Sequence, residues 1–274
     1  EFIDNLKAAG EDNCAKLVAE IFRKNGVDAS YVNPAKAGMV LSSEFGNALV
    51  LKESYENLAP LGNRKGVTIF PGFFGRTSDG RIITFPRGGS DITGAIVAAA
   101  VKADVYENFT DVDSVFSVVS IFVPDAKSIT LATYREMREL SYAGFGVFHD
   151  EALEPVVHAK IPINIKNTNR PDAPGTMILP EREHHPGTVT GIAASEGFCT
   201  IYVDKYLMNR EIGFGRRLLQ VLEERGISYE HAPSGIDNTS VIIKEKDLPL
   251  EKEASVIEQI RKTLNPDDVT VERG

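Results

Sequence analysis

Between Arg87 and Asp113 the chain carries three local signals in a fixed order. The glycine pair Gly88-Gly89 comes first, flanked by Arg87, Ser90 and Asp91. Alanine then dominates from Ala95 to Ala103 without a proline, which predicts a helix. Val105-Tyr106-Glu107-Asn108-Phe109 follows, β-prone and alternating apolar with polar. A glycine turn that opens a helix presents free backbone N–H groups and the positive end of the helix dipole, which suits a phosphate. Arg87 adds a planar donor fork for phosphoryl oxygens, and Asp91, Asp111 and Asp113 are oxygen donors for a cation accompanying them. By itself, a Gly-Gly turn before a helix is only a turn. No Gly-Lys-Ser/Thr follows, so it is not a Walker loop, and the glycines lack the spacing of a dinucleotide fingerprint.

Taken with Thr110-Asp111-Val112-Asp113 at the end of the next strand, Arg87 to Asp91 and the helix resemble the nucleotide half of the amino-acid kinase family. More narrowly they resemble aspartate kinase. Pro71-Gly72-Phe73-Phe74-Gly75 and Tyr134-Arg135-Glu136-Met137-Arg138-Glu139-Leu140 fit the same pattern, and the resemblance runs in order over nearly the whole chain. It implies an α/β fold: the C-terminal portion of a three-layer α/β/α kinase domain over 1–180, a linker at 181–187, and an ACT regulatory domain over 188–274.

The reaction so implied transfers the γ-phosphoryl of ATP to the side-chain carboxylate of L-aspartate, giving 4-phospho-L-aspartate for lysine, threonine and methionine synthesis. Mg²⁺ would be held mainly by the phosphates, with no dedicated protein metal site. By the same resemblance Arg87 and Asp91 are the catalytic pair that grips the substrate carboxylate and ammonium. Glu11 assists, and Gly88, Gly89 and Ser90 complete the substrate side. Phe73, Ser90, Thr110, Asp111 and Phe116 line the nucleotide. From the residues alone, Arg87 suits either anion, substrate carboxylate or phosphate.

Departures from the family pattern fall on the nucleotide side. Phe116 stands at a family tyrosine, and no arginine follows near Ser120. Gly146 stands where many relatives carry lysine, and Asp150 where many carry proline. The Lys-Phe-Gly-Gly-Ser/Thr motif of aspartate kinases occurs nowhere in the 274 residues. The expectation is a chain truncated at both ends, lacking that motif and a second ACT module, and inactive alone. The alternative function is a non-catalytic, amino-acid-sensing fragment of such a kinase.

Composition excludes several partners. A formal charge of −9 argues against nucleic acid and against anionic lipid. Cys14 and Cys199 lie in unrelated segments, which suggests a reducing compartment rather than a disulfide framework. His184-His185 sits in a charged, proline-flanked stretch without metal-ligand spacing. Nothing resembles a signal peptide or a membrane span, so a cytoplasmic location is expected.

Elsewhere periodicity predicts a helix over 11–25 with Leu17, Val18, Ile21 and Phe22 as its apolar face. Strands are expected at 29–32, 47–51 and 67–70, the last buried on both faces, and a hairpin turn at Ser78-Asp79-Gly80. After a loop over 114–120, helices are expected over 134–143 and 150–159 and a strand over 161–166. Beyond the linker a strand at 198–203, a helix at 215–224 and strands at 227–232 and 239–243 are expected. A helix over 251–264, with Ala254, Ile257, Ile260 and Leu264 as its stripe, and a strand at 268–271 complete a β-α-β-β-α-β ferredoxin-like order. Behind a kinase-like segment this looks like an ACT domain, which binds an amino acid and pairs into a homodimer or higher oligomer. A strand at 188–193 is assigned to a second such module. Met208, Gly213-Phe214-Gly215, Ser228-Tyr229-Glu230, Ser234 and Asp237 are the effector candidates. The helix start at Gly213 to Gly215 suits an α-carboxylate, and Glu230 and Asp237 suit an ammonium, which favours L-lysine.

Overall fold

Alanine, not leucine, decides which side of the first helix is buried. In the computed structural model, which describes residues 1–118, 123, 125–142, 153–183 and 189–274, helix α1 spans Phe2–Lys24. Its buried residues are Asp4, Ala8, Ala15 and Ala19, whereas Leu17 is 62% and Ile21 46% exposed. The expected apolar face is therefore not the core face. Small side chains let the helix backbone lie close against strands β1 (Ala29–Tyr31) and, later in the chain, Ile82–Thr84. Asp4 anchors it there: its Oδ2 accepts from the N–H of Gly46 (3.0 Å), the N–H of Thr84 (2.8 Å) and Oγ1 of Thr84 (3.0 Å). Burial pushes that carboxyl up, but these donors outweigh it and hold its pKa below the ordinary value.

The chain divides into two compact units, residues 1–194 and 195–274. After β1 the first unit continues through α2 (Pro34–Ala37), α3 (Glu53–Leu58) and β2 (Val67–Ile69), which pairs parallel with β1. Val67 is exposed and the rest of β2 half-buried, so this is not the doubly buried strand expected. Residues 47–51 form no strand; Val50 makes a single bridge to Leu41. The expected hairpin is present as β3 (Phe74–Arg76) and β4 (Ile82–Thr84).

Next come α4 (Gly89–Val101), β5 (Tyr106–Thr110), β6 (Val115–Phe116), β7 (Ser128–Ile129) and β8 (Leu131–Thr133). Then follow α5 (Tyr134–Tyr142), α6 (Leu153–Ala159), β9 (Ile163–Asn167) and β10 (Thr176–Leu179). The main sheet has the order β5-β9-β10-β8, parallel at β5/β9 and β10/β8 and antiparallel at β9/β10. Pairing of Asn108 with Ile165 and of Ile178 with Ile163 and Ala132 puts these side chains on one face. Ile92, Ala95 and Ile96 of α4, Met137 and Leu140 of α5 and Val156 of α6 bury that face in one core. Strands β6, which falls in the expected loop over 114–120, and β7, β8 and β10 were not expected, because each is short and paired with residues remote in sequence. Gly175 makes the start of β10 possible: its φ is +73°, and a Cβ there would lie 2.1 Å from the Ile165 carbonyl oxygen.

Helix α5 opens with a capping box. The Thr133 N–H donates to Glu136 Oε2 (2.7 Å), and the Glu136 N–H donates to Thr133 Oγ1 (3.2 Å). The same carboxylate receives Nε and Nη2 of Arg182 and the hydroxyl of Thr190. The Ile192 N–H donates to the Ser117 carbonyl (2.8 Å), and Ala193 packs on the core. These ties hold Arg182 and residues 190–193 to the first unit, which runs to Ala194, past the expected linker at 181–187, and 189–193 form no strand. Ser120, Gly146, Asp150 and His184-His185 lie outside the described residues.

The second unit consists of β11 (Phe198–Asp204), α7 (Phe214–Glu223), β12 (Asn238–Lys244), α8 (Leu250–Leu264) and β13 (Asp268–Arg273). Its antiparallel sheet has the order β12-β11-β13. Cys199, Ile201 and Val203 face Leu218, Val221 and Leu222 of α7 and Val256, Ile260 and Leu264 of α8. Val256, rather than the expected Ala254, belongs to the buried stripe. Within the expected strand at 227–232 a single bridge remains, His231 to Ile242, with the Glu230 N–H donating to the Ile242 carbonyl (2.8 Å). Pro233 has no N–H to give, which interrupts the ladder, but its carbonyl accepts from the Ser240 N–H (2.9 Å) and Ser234 bridges Thr239 beyond it. The segment still lies along the free edge of β12, so the spatial succession is that of a ferredoxin-like unit. Among the described residues no helix is long and apolar enough to cross a membrane.

Candidate functional site

The N-terminus of α4 gathers three segments. Gly88 caps the helix at φ +83°. A Cβ on Gly89 would lie 2.5 Å from Phe85 Cβ and 2.7 Å from the Phe73 ring, and one on Gly72 would lie 3.0 Å from Ser90 Cα. Only glycines permit that approach, so the turn after β2 lies against the helix start. Phe73 takes φ +76°, a left-handed conformation that costs a non-glycine residue about 1–3 kcal/mol. Its backbone is pinned at both ends: the N–H donates to Thr93 Oγ1 (3.0 Å), and the carbonyl accepts from the Phe85 N–H (2.9 Å). Thr93 in turn donates to the Gly89 carbonyl (2.7 Å). Replacing Thr93 with valine should cost about 1–1.5 kcal/mol of stability, read as a shift in urea midpoint at unchanged slope. An unshifted midpoint would show that Phe73 is held by packing alone.

Charge is arranged around this turn. Arg87 is exposed, and among the described residues no hydrogen bond or ion pair engages its guanidinium. In the first turn of the helix, Asp91 Oδ1 accepts from Asn108 Nδ2 (2.9 Å), and the Asp91 carbonyl accepts from the Tyr106 hydroxyl (3.1 Å). Burial pushes the Tyr106 phenol up to about 12, with the Asp91 charge adding to it, so the ring stays neutral. Gly94 makes room for that ring, since a Cβ there would lie 2.6 Å from the hydroxyl. A cavity of about 580 Å³ is lined by Glu11, Gly72, Ser90, Thr93, Gly94 and Tyr106 among others. Glu11 and Ser90, 79 residues apart, thus share one wall, while Arg87 and Asp91 stand outside that lining.

On the nucleotide side Thr110 and Asp111 lie at the C-terminal end of β5, the threonine hydroxyl donating to Asp111 Oδ1 (3.2 Å). Phe116 lies half-buried in β6. Phe73 and Ser90 lie together at α4 instead. Asp113 is not open to a cation: it accepts from Asn167 Nδ2 (2.7 Å) and is ion-paired with Arg170. Among the described residues no group of three His, Cys, Asp or Glu side chains is placed to hold a metal ion. Asn108 was missed by sequence reading. Its signal was a polar residue on the inward face of an otherwise β-prone run.

In the second unit a cavity of about 370 Å³ is lined by Met208, Gly213, Phe214, Gly215 and Ser234, five of the expected effector residues. Ser228, Tyr229, Glu230 and Asp237 are outside its lining. Glu230 is ion-paired with Lys244 (3.0 Å), and Asp237 Oδ1 accepts from the Leu207 N–H (2.8 Å), fixing the turn before Met208. The acid in the cavity wall is Glu211, which sequence reading did not single out; it is paired with Arg217 and with Lys205 at 3.6 Å.

Comparison with known proteins places these features in a family. The model of the amino acid kinase family matches residues 2–167. Aspartokinase 3 of Bacillus subtilis is 57% identical over 272 residues, covering 99% of this chain and 60% of that protein. The aspartate kinase structure of Clostridium acetobutylicum matches with TM-score 0.85 at 38% identity, over 98% of this chain and 60% of that one. Aspartokinase III of Escherichia coli in complex with aspartate and ADP matches with TM-score 0.74 at 25% identity, over 99% and 61%. Its complex with lysine and aspartate matches with TM-score 0.71 at 25% identity, over 94% and 58%. The chain therefore spans about 60% of the length of these relatives.

Proposed function

The chain belongs to the amino acid kinase family, and on that premise we propose that it serves an aspartate kinase, transferring the γ-phosphoryl of ATP to the side-chain carboxylate of L-aspartate. One observation carries the reading. Arg87, unengaged among the described residues, stands just before the N-terminus of α4, whose first turn carries Asp91 with its carboxylate fixed by Asn108. A cation just before the helix start and an anion in its first turn suit a zwitterionic acceptor. In the reading proposed, Arg87 takes the substrate carboxylate, Asp91 its ammonium with Glu11 assisting, and the first turn of α4 adds backbone donors. The acceptor carboxylate oxygen attacks the γ-phosphorus as the bond to ADP breaks, so the protein supplies position and charge rather than covalent chemistry.

Phe73, Ser90, Thr110, Asp111 and Phe116 are the residues proposed for the nucleotide. With Asp113 committed to Arg170, the donor set fits a Mg²⁺ ion carried mainly on phosphate oxygens, with Asp111, bonded only to the Thr110 hydroxyl among the described residues, the carboxylate nearest in sequence. That ion would supply charge neutralisation at the transferring group.

We further propose that the second unit binds L-lysine in the cavity beneath Gly213 to Gly215, and that the protein self-associates through this unit. Exposed Ile212, Ile236 and Tyr206 flank the cavity residues in sequence, which supports an apolar contact there. The lysine complex of the Escherichia coli relative supports the ligand.

Coupled ADP release from the full-length protein tests the first proposal. Aspartate-dependent turnover is expected, with glutamate a poor acceptor. ADP release indifferent to aspartate would remove the kinase reading and favour the amino-acid-sensing one. For the second unit, L-lysine should raise the thermal midpoint where L-threonine does not, as binding to the folded state alone requires. A midpoint insensitive to lysine would overturn that part.

A further inference from the structure

Asn108 occupies a position where a sheet normally takes an apolar side chain. It faces inward from β5, opposite Ile165 of β9, and is 8% exposed. A buried amide there is unfavourable unless its donors are met. Both are met by polar groups at the α4 end of the sheet. Nδ2 donates to Asp91 Oδ1 at 2.9 Å and to the Tyr106 hydroxyl at 3.1 Å, and that hydroxyl donates onward to the Asp91 carbonyl at 3.1 Å. The three residues form a closed network holding both the side chain and the backbone of Asp91 against β5. One carboxylate oxygen is committed to it, and the other remains for a ligand.

We infer that Asn108 is a positioning residue for the acceptor site: it sets the rotamer of Asp91 so that the free carboxylate oxygen meets the α-ammonium of the amino-acid substrate. This rests on the proposed role of Asp91 and deepens it. The network also ties the substrate end of the site to the strand that delivers Thr110 and Asp111, two and three residues further on. A purely structural amide would stabilise the sheet without favouring one acceptor chemistry over another. A positioning amide discriminates between acceptors with and without an ammonium.

Steady-state kinetics of the full-length protein separate the two. Asn108→Ala is expected to raise the KM for aspartate about tenfold, the usual worth of a hydrogen bond to a charged group, with KM for ATP unchanged. Inhibition by succinate, the same dicarboxylate without an ammonium, should stay within about twofold of wild type. Asn108→Ser, a smaller perturbation of the sheet, should show the same selectivity and serves where the alanine variant does not fold. Asp91→Asn is the reference. If it weakens aspartate selectively and the Asn108 variants do not, the inference is overturned while the reading of Asp91 stands. Equal weakening of aspartate and succinate by the Asn108 variants overturns it as well. If Asp91→Asn leaves the KM for aspartate unchanged, both fall.

Discussion

Replacing Arg87 with alanine in the full-length protein should lower kcat/KM for aspartate by at least about 2 kcal/mol, roughly thirtyfold. The size follows from leaving a substrate anion without its charge-assisted donor fork. Because Arg87 is exposed and its guanidinium engages no described residue, the substitution should move stability by less than about 0.5 kcal/mol. A large kinetic effect at constant midpoint is therefore the expected signature. Arg87→Lys keeps the charge but loses the fork, and should recover only part of the rate. Asp91→Asn should be nearly as damaging as Arg87→Ala. Near-wild-type kinetics for Arg87→Ala would make the arginine an ordinary solvated side chain and leave the acceptor site without its cation.

Glu136 should govern how the first unit responds to acid. The bidentate Arg182 fork comes first among the causes; burial opposes it, and Thr190 and Thr133 add donors. Together they lower the Glu136 carboxyl from an ordinary 4.5 to about 2. A folded-state pKa below the unfolded one gives stability that is fully present above about pH 4.5 and is lost as pH falls toward 2. The linkage corresponds to roughly 3 kcal/mol at most, and partial solvent access reduces it to about 2 kcal/mol. Glu136→Gln should therefore flatten the pH dependence of urea-unfolding free energy between about pH 4.5 and 2.5 relative to wild type. Comparing the two proteins cancels the shared contributions of Asp4 and Asp12, whose carboxyls are also held low. Arg182→Ala, which strands a half-buried carboxylate at neutral pH, should cost about 2–3 kcal/mol. Superimposable pH profiles for wild type and Glu136→Gln would sink this account. A stable Arg182→Ala protein would further show that residues 189–194 are held by packing rather than by this charge.

What the sequence determined by itself was whatever rests on a residue's own conformational preference or on neighbours a few positions away. The turn at Gly88-Gly89 needs a left-handed residue, and the alanine run needs no partner to be helical. The hairpin at 74–84 and the two helices of the second unit follow from short-range turn chemistry and 3.6-residue periodicity in the same way. That Arg87, Asp91 and Thr110-Asp111 lie at the ends of these locally specified elements was legible for the same reason.

Tertiary structure alone decided matters set by distance of approach or by remote partners. Periodicity chose Leu17 and Ile21 for the core of α1, yet the helix lies close enough to β1 and β4 that alanine side chains fill the contact. Glu230 and Asp237 looked free in the sequence, but Lys244 and the Leu207 N–H claim them and leave Glu211 in the cavity wall. Asp113 was likewise claimed by Arg170, 57 residues away. The clearest case is Asn108: its strand marks it only as a polar residue in a β-prone run, and its chemistry appears only when β5 is laid against α4 and its amide meets a carboxylate 17 residues earlier in the chain. Local preference writes the elements, but which polar groups are buried together, and so which are left for a ligand, is settled by packing.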